Sequence, residues 1–195
     1  MDSRRLDVPL RDRVASWRVA DGTRVYGELL LDDLHARTAD FPNKYGAQLG
    51  LAGTGDLHGT RLSWDVEWTM LSRYTYTSYF GRSYVAQDRP LGFPTGPDAR
   101  RLRARLSWDP SVDWSCSLVA ARTDHGEGDL STPFVPGSPV PDVATLSGVV
   151  ERTRSLEAQV RWLPASGLEL AARLGRIQRE DAGHVVGATA DGWTG

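Results

Sequence analysis

The sequence predicts an all-β chain, an antiparallel meander of about eight or nine long strands. Three observations carry that prediction. Apolar residues recur at every second position through most of the chain. Helical periodicity of comparable length is absent. The connections between the alternating stretches are short and long by turns. A period of two puts alternate side chains on opposite faces of a strand, whereas a helix would scatter them round its circumference.

The elements follow in order. "RDRVASWRVA" (11–20) is the first, closed by the short "ADG". "TRVYGELLLDD" (23–33) sets Val25, Gly27, Leu29 and Leu31 against Arg24, Tyr26, Glu28, Leu30 and Asp32. After the longer "LHARTADFPNK", "YGAQLGLAG" (45–53) alternates Tyr45, Ala47, Leu49 and Leu51 with Gly46, Gln48, Gly50 and Ala52. The short "TGDLHG" leads to "RLSWDVEWTM" (61–70), the sharpest case. There Leu62, Trp64, Val66, Trp68 and Met70 share one face, and Arg61, Ser63, Asp65, Glu67 and Thr69 the other. Residues 72–99 form a long connection. "RLRARLSW" (101–108) sets Leu102, Ala104, Leu106 and Trp108 against Arg101, Arg103, Arg105 and Ser107. "DPSV" reads as a tight turn with Pro110 at a turn position. "VDWSCSLVAAR" (112–122) precedes a long connection, 123–147, rich in Pro, Gly and Ser. "LEAQVRWL" (156–163), the short "PASG" and "LELAARLGRI" (168–177) follow, and "HVVGATADGWTG" is the candidate start of a ninth strand.

In an antiparallel meander, alternate connections lie at opposite ends. One end then holds tight turns and the other long loops, as in transmembrane β-barrels. Strands that cross a bilayer at a tilt run about 9–11 residues, against roughly 5–6 in soluble domains. The stretches above are of the longer kind. Trp17, Trp108, Trp114 and Trp162 each lie within a few residues of a short connection, as in an aromatic girdle. A soluble β-sandwich with tryptophans packed between its sheets competes with this reading. In the barrel, the apolar face of 61–70 meets lipid, Asp65 and Glu67 face a wet lumen, and closure satisfies every backbone group. Eight strands can close a small barrel. No apolar leader opens the chain and no strand with a terminal aromatic closes it. The expectation is one segment, residues 1–195, of a larger transmembrane β-barrel truncated at both ends.

Composition narrows the classes. The chain has 195 residues and a formal net charge of -2, so no global field points to nucleic acid. Lys44 is the sole lysine among 23 basic residues. Cys116 stands alone, which excludes an internal disulfide and any zinc spacing. It reads as a small apolar filler on its strand. No run of eighteen apolar residues exists to form a membrane helix. "MDSRRLDVPL" lacks the apolar core of a signal peptide.

Four stretches taken in order carry a resemblance: "YGELLLDDL" (26–34), "PNKYGAQLGL" (42–51), "SRYTYTSYF" (72–80) and "RPLGFPTGPDARRL" (89–102). Together they resemble the Wzi-type capsule assembly proteins of the Gram-negative outer membrane. The resemblance covers roughly residues 23–102, and 103–195 match only as generic strands. It implies a large barrel of about eighteen strands. It also implies an outer-membrane location and a non-catalytic, lectin-like role in attaching capsular polysaccharide to the cell surface. The periplasmic helices of that family's N-terminal part are absent from this sequence.

No catalytic signature stands out, so the expectation is a protein that is not an enzyme, with no cofactor and no metal. His125, Glu127 and Asp129 in "DHGEGD" could ligate a cation, but a solvated polar loop explains them more simply. Asp32 and Asp33 are strand neighbours and point to opposite faces, so pairing with an arginine is expected rather than a carboxylate dyad. Arg101, Arg103 and Arg105 share one strand face and repel unless neutralised. Lumen carboxylates Glu28, Asp32, Asp65 and Glu67 can do that, or the row can attract an anionic polysaccharide. Tyr74, Tyr76, Tyr79 and Tyr84, with Phe80, can stack on sugar rings or pack the loop down. The expected partners are surface polysaccharide and outer-membrane lipid, with no nucleic acid, and a monomeric barrel when full length. A porin or solute channel of the same architecture, or a soluble β-sandwich binding domain, are the alternatives.

Overall fold

The computed structural model describes residues 11–34, 41–78, 85–86, 89–90, 92–142, 144–165 and 167–195. Its strands are β1 (Arg11–Ala20), β2 (Thr23–Asp33), β3 (Lys44–Leu57), β4 (Thr60–Leu71), β5 (Val85–Ala86), β6 (Arg89–Pro90), β7 (Ala99–Ser111), β8 (Trp114–His125), β9 (Glu151–Ala165), β10 (Leu168–Glu180) and β11 (Thr189–Thr194). Nine of them form one sheet in the order β1-β2-β3-β4-β7-β8-β9-β10-β11, and β5 and β6 form a separate small hairpin. Every neighbouring pair is antiparallel. The expected meander is therefore present, with the ninth strand. The sheet does not close on itself: β1 and β11 are its two edges. The helical content among the described residues is one 3-10 turn, Ala182–His184.

Short and long connections segregate as the alternation demands. The strand ends joined by 21–22, 58–59, 112–113 and 166–167 lie at one end of the sheet, and those joined by 34–43, 72–98, 126–150 and 181–188 at the other. The His58–Gly59 turn shows why two residues suffice. Both have positive φ, 54° and 81°, which matches the right-handed twist of the flanking strands. The Asp56 carboxylate accepts the Gly59 N–H at 2.8 Å and closes the turn.

Three boundaries differ from the sequence reading. Thr54–Leu57 continue β3, so "TGDLHG" contributes only His58–Gly59 to the turn. Pro110 is not a turn residue but the penultimate residue of β7. The register with β8 breaks between Trp108 and Ser111, where the N–H that proline lacks is not missed. β9 begins at Glu151, so the second long connection is 126–150 rather than 123–147. Polar residues lead β9, and the charged Glu151, Arg152 and Arg154 hide its period from an apolar count.

The two sheet faces differ in kind. Val25, Leu29, Leu49, Leu51, Val66, Leu102, Leu106, Leu118, Leu156, Val160, Leu170 and Leu174 occupy one face and are all exposed. Among the described residues no second sheet packs over this face. Cys116 lies on it too, half-buried rather than in a core. At the short-turn end the face carries Trp17, Trp108 and a stacked pair, Trp114 and Trp162, 5.3 Å apart. The Trp108 indole donates to Thr60 Oγ1 at 2.8 Å.

The buried core sits elsewhere, at the long-loop end. Its apolar members are Leu71, Tyr74, Ala99 and Phe134, and its largest fully buried side chains are Thr75, Asp98, Pro97 and Ser72. Phe41, Tyr74 and Phe134 meet edge to face, with centroids 5.6 and 6.1 Å apart. The Tyr45 N–H donates to Ser72 Oγ at 3.0 Å, and the Arg73 N–H donates to the Ala144 carbonyl at 2.8 Å. Tyr76, Gly92, Phe93 and Pro94 line a cavity with Glu28, Leu30, Gln48 and Thr69 of the polar face. The loops thus cap one end of that face.

Candidate functional site

The polar face curves into an open trough of about 860 Å³ on its short-turn half. Register places its walls. Arg18 on β1 lies opposite Arg24 on β2, Asp65 on β4 opposite Arg105 on β7, and Ser115 on β8 opposite Arg161 on β9. Six arginines line the trough, Arg18, Arg24, Arg61, Arg103, Arg105 and Arg161, against three carboxylates, Asp65, Glu67 and Asp109. Its net charge is therefore positive, in a chain whose total is -2.

The carboxylates are largely committed. Arg103 Nη1 donates to Asp65 Oδ2 at 2.8 Å, with both side chains about a quarter exposed. Glu67 Oε2 accepts the Tyr26 hydroxyl at 2.8 Å and Gln48 Nε2 at 2.6 Å. Tyr26 lies flat across β3 because Gly50 leaves room for its ring, where a Cβ would come within 2.0 Å of it. Arg105 Nε donates to Ser107 Oγ at 3.2 Å, and no ion pair reaches it among the described residues. Among the described residues no ion pair reaches Arg18, Arg61 or Arg161. Directly opposed like charges such as Arg18 and Arg24 cost stability unless something neutralises them.

The arginine row read from the sequence divides. Arg103 and Arg105 enter the trough. Arg101 does not: it lies opposite Thr69, whose side chain is buried, and its own Nε is buried without a hydrogen-bond partner among the described residues. Of the four carboxylates read from the sequence as lumen-facing, Asp65 pairs with Arg103. Glu67 is held by Tyr26 and Gln48 instead. Asp32 Oδ2 accepts the Tyr76 N–H at 3.1 Å, which anchors the cap. Glu28 lines the capped cavity beside Tyr76.

Tyr74 and Tyr76 belong to the cap. Tyr74 is 8% exposed, packed on Phe134 with the Arg73 guanidinium 5.2 Å from its ring. Tyr76 has φ 67°, and its hydroxyl accepts the Phe93 N–H at 3.3 Å. A buried ring offers no face to a sugar, so Tyr74 is a packing residue. Tyr79, Phe80 and Tyr84 lie outside the described residues. His125, Glu127 and Asp129 do not converge: Glu127 Oε1 accepts the Val149 N–H at 3.0 Å, Asp129 Oδ1 accepts the Ser131 N–H at 2.6 Å, and the His125 ring faces His184. No cluster of three metal-ligating side chains exists among the described residues.

Two structural centres escaped the sequence reading. Asp98 is fully buried at φ 57° and joins both long loops. Its carboxylate accepts the Gly128 N–H at 2.8 Å, the Ser147 N–H at 3.2 Å and the Ser147 hydroxyl at 2.5 Å. Lys44, 4% exposed, donates Nζ to the Thr77 carbonyl at 2.8 Å. Asp32, Lys44, Ser72–Thr77 and Asp98 come from the four stretches quoted above, so each of those stretches contributes residues to the cap. In comparisons with known proteins, no family model, no curated protein and no solved structure matches this chain.

Proposed function

We propose that the chain is a membrane-embedded segment of a larger outer-membrane β-barrel, with the apolar face toward lipid and the arginine trough toward a wet lumen that binds acidic surface polysaccharide without catalysis. One observation carries the membrane part, the slant of the apolar band. The first arginine above the band falls at Arg100 on β7, Arg122 on β8, Arg154 on β9 and Arg176 on β10. Arg176 is in register with Leu156, Ala120 and then Ala104. The band edge therefore slips four residues along the strands from β7 to β10. At about 3.4 Å per residue and about 4.8 Å per strand spacing, that is an inclination of roughly 45°. Transmembrane strands tilt by about 35–45° to a flat bilayer. A sandwich core has no such requirement.

The trough supports the ligand class. Guanidinium forks bind carboxylate and sulfate groups bidentately, and a row of arginines selects anions. The loop cap over one end speaks against a free solute channel. The likeness to Wzi-type proteins supports a role in capsule assembly or surface attachment and rests on the cap-building stretches. The test is binding of an acidic and a neutral polysaccharide to the chain refolded in detergent, with the R105Q/R161Q variant alongside. Selective binding of the acidic glycan, weakened at least tenfold in the variant, supports the reading. Equal binding of both glycans, or no effect of the variant, removes the trough as the ligand site. A sharp, cooperative melt of a monomer in detergent-free buffer would instead overturn the membrane assignment, because an unclosed apolar sheet should not persist alone in water.

A further inference from the structure

The two rims of the apolar band differ. On β7–β10 the short-turn rim carries Trp108, Trp114, Trp162 and Leu170, with no outward arginine among the described residues. The loop-end rim carries Arg122, Arg154 and Arg176 on three adjacent strands. Arg122 and Arg154 are directly opposed in register, so two guanidinium groups face the same gap. Arg176 lies on the next strand, its guanidinium 5.9 Å from the centre of the Trp193 ring, and Trp193 is itself 71% exposed.

Each arginine has an acidic neighbour: Asp124 at 3.1 Å from Arg122, Glu180 at 2.9 Å from Arg154 and Asp191 at 3.7 Å from Arg176. These pairs do not exhaust them. A guanidinium has five N–H donors, and the three side chains remain 52%, 54% and 51% exposed. Asp124 takes Nε and Nη2 of Arg122, and all three arginines stand on the face that carries Leu118, Leu156 and Leu174, with half of each side chain open. Ion pairs of this exposure add little stability. A structural purpose alone does not explain why like charges are set opposite one another.

We propose that Arg122, Arg154 and Arg176 form a shelf that binds the phosphate groups of anionic lipid in the leaflet at the loop end. This rests on the reading of the apolar band as lipid-facing. Acyl chains of such a lipid lie along Leu118, Leu156 and Leu174, which brings its phosphate level with the three guanidiniums. Trp193 occupies the same height, where an amphipathic ring settles at a membrane interface.

The experiment uses the refolded chain and vesicles whose lipids carry brominated acyl chains, which quench tryptophan on contact. One set is phosphatidylcholine and the other contains phosphatidylglycerol, both at low salt. The wild-type chain is quenched by both and binds the phosphatidylglycerol vesicles more tightly, by roughly fivefold per engaged arginine. R122Q/R154Q, with its strand content checked by circular dichroism, keeps the quenching by phosphatidylcholine and loses most of the anionic preference. R176Q alone loses a smaller part and serves if the double variant does not fold. Full preference retained in these variants overturns the shelf while the membrane reading stands. No quenching by either lipid overturns the membrane reading and the shelf with it.

Discussion

The loop end and the strand faces of this molecule invert the usual division between surface and core. In a soluble domain, connections run over the surface and strands bury their apolar sides. Here Tyr74 in a connection is 8% exposed while Leu102 in a central strand is 50% exposed. The loop end is held by polar groups packed to exclusion of water: Asp98, Ser72, Thr75, Lys44 and Ser147 are all buried. The strands expose their leucines and are held by backbone ladders. On the lipid-facing reading proposed above, burial follows the solvent that each surface meets: a sheet that faces hydrocarbon needs no second layer, and loops that stand in water build a core of their own.

Four measurements break or sharpen that contrast. The largest effect is expected at Asp98. D98A strands the Gly128 and Ser147 donors in a closed site and removes a residue that tolerates a left-handed backbone. About 3–5 kcal/mol of loop-cap stability should be lost. Limited proteolysis should then cut 126–150 rapidly while the strand content is kept. A cap as resistant as the wild type would show that its stability lies elsewhere. Next comes L102R on the apolar face. It should cost about 2–4 kcal/mol for the chain in vesicles, read by urea titration, while S117R, on the polar face but outside the trough, stays within about 0.5 kcal/mol. Equal costs on the two faces would remove the distinction on which the membrane reading stands.

A smaller effect is expected from G50A. The new Cβ would enter the Tyr26 ring and force it off Glu67, at a cost of about 1–3 kcal/mol. Y26A on the same background should recover most of it, since the clash leaves with the ring. Absence of that rescue would mean that β3 itself resists the alanine. The smallest is R103Q. It removes the pair with Asp65, both side chains 26% exposed, and should cost about 0.5–1 kcal/mol. A loss of several kcal/mol would assign Arg103 a deeper structural part than a rim-exposed pair.

The sequence made the strands legible because a period of two is a local signal, carried best where one face is wholly apolar, as in 61–70. It misplaced Pro110, because the irregular register that accommodates a proline depends on the partner strand. It missed the start of β9, where Arg152 and Arg154 occupy the outward face that leucines occupy lower down. It could not rank Asp98 above any other "GPD" aspartate, because that residue's partners lie 30 and 49 positions away. The trough was half visible. Arg103 and Arg105 alternate on one strand, whereas Arg18, Arg24, Arg61 and Arg161 join them only once five strands are set in register. Tyr74 and Tyr76 were read both as sugar platforms and as loop packing, and nothing short of tertiary contacts separates those two.

The rings that cross β3 have one more consequence. Tyr26 lies over Gly50 on the polar face, and Trp64 lies over Gly53 on the apolar face, where a Cβ would come within 2.6 Å of the indole. Tyr26 finds no second glycine within two residues along its face, whereas Trp64 has Gly55 on one side and Leu51 on the other. Sliding β2 along β3 by two residues, which preserves the faces, would drive Tyr26 onto Gln48 or Ala52. Sliding β4 by two in one sense would drive Trp64 onto Leu51. Long strands with repetitive apolar faces have many nearly equivalent alignments. Two missing side chains on β3 thus police its pairing on both edges, against a slip in either sense on the β2 side and in one sense on the β4 side.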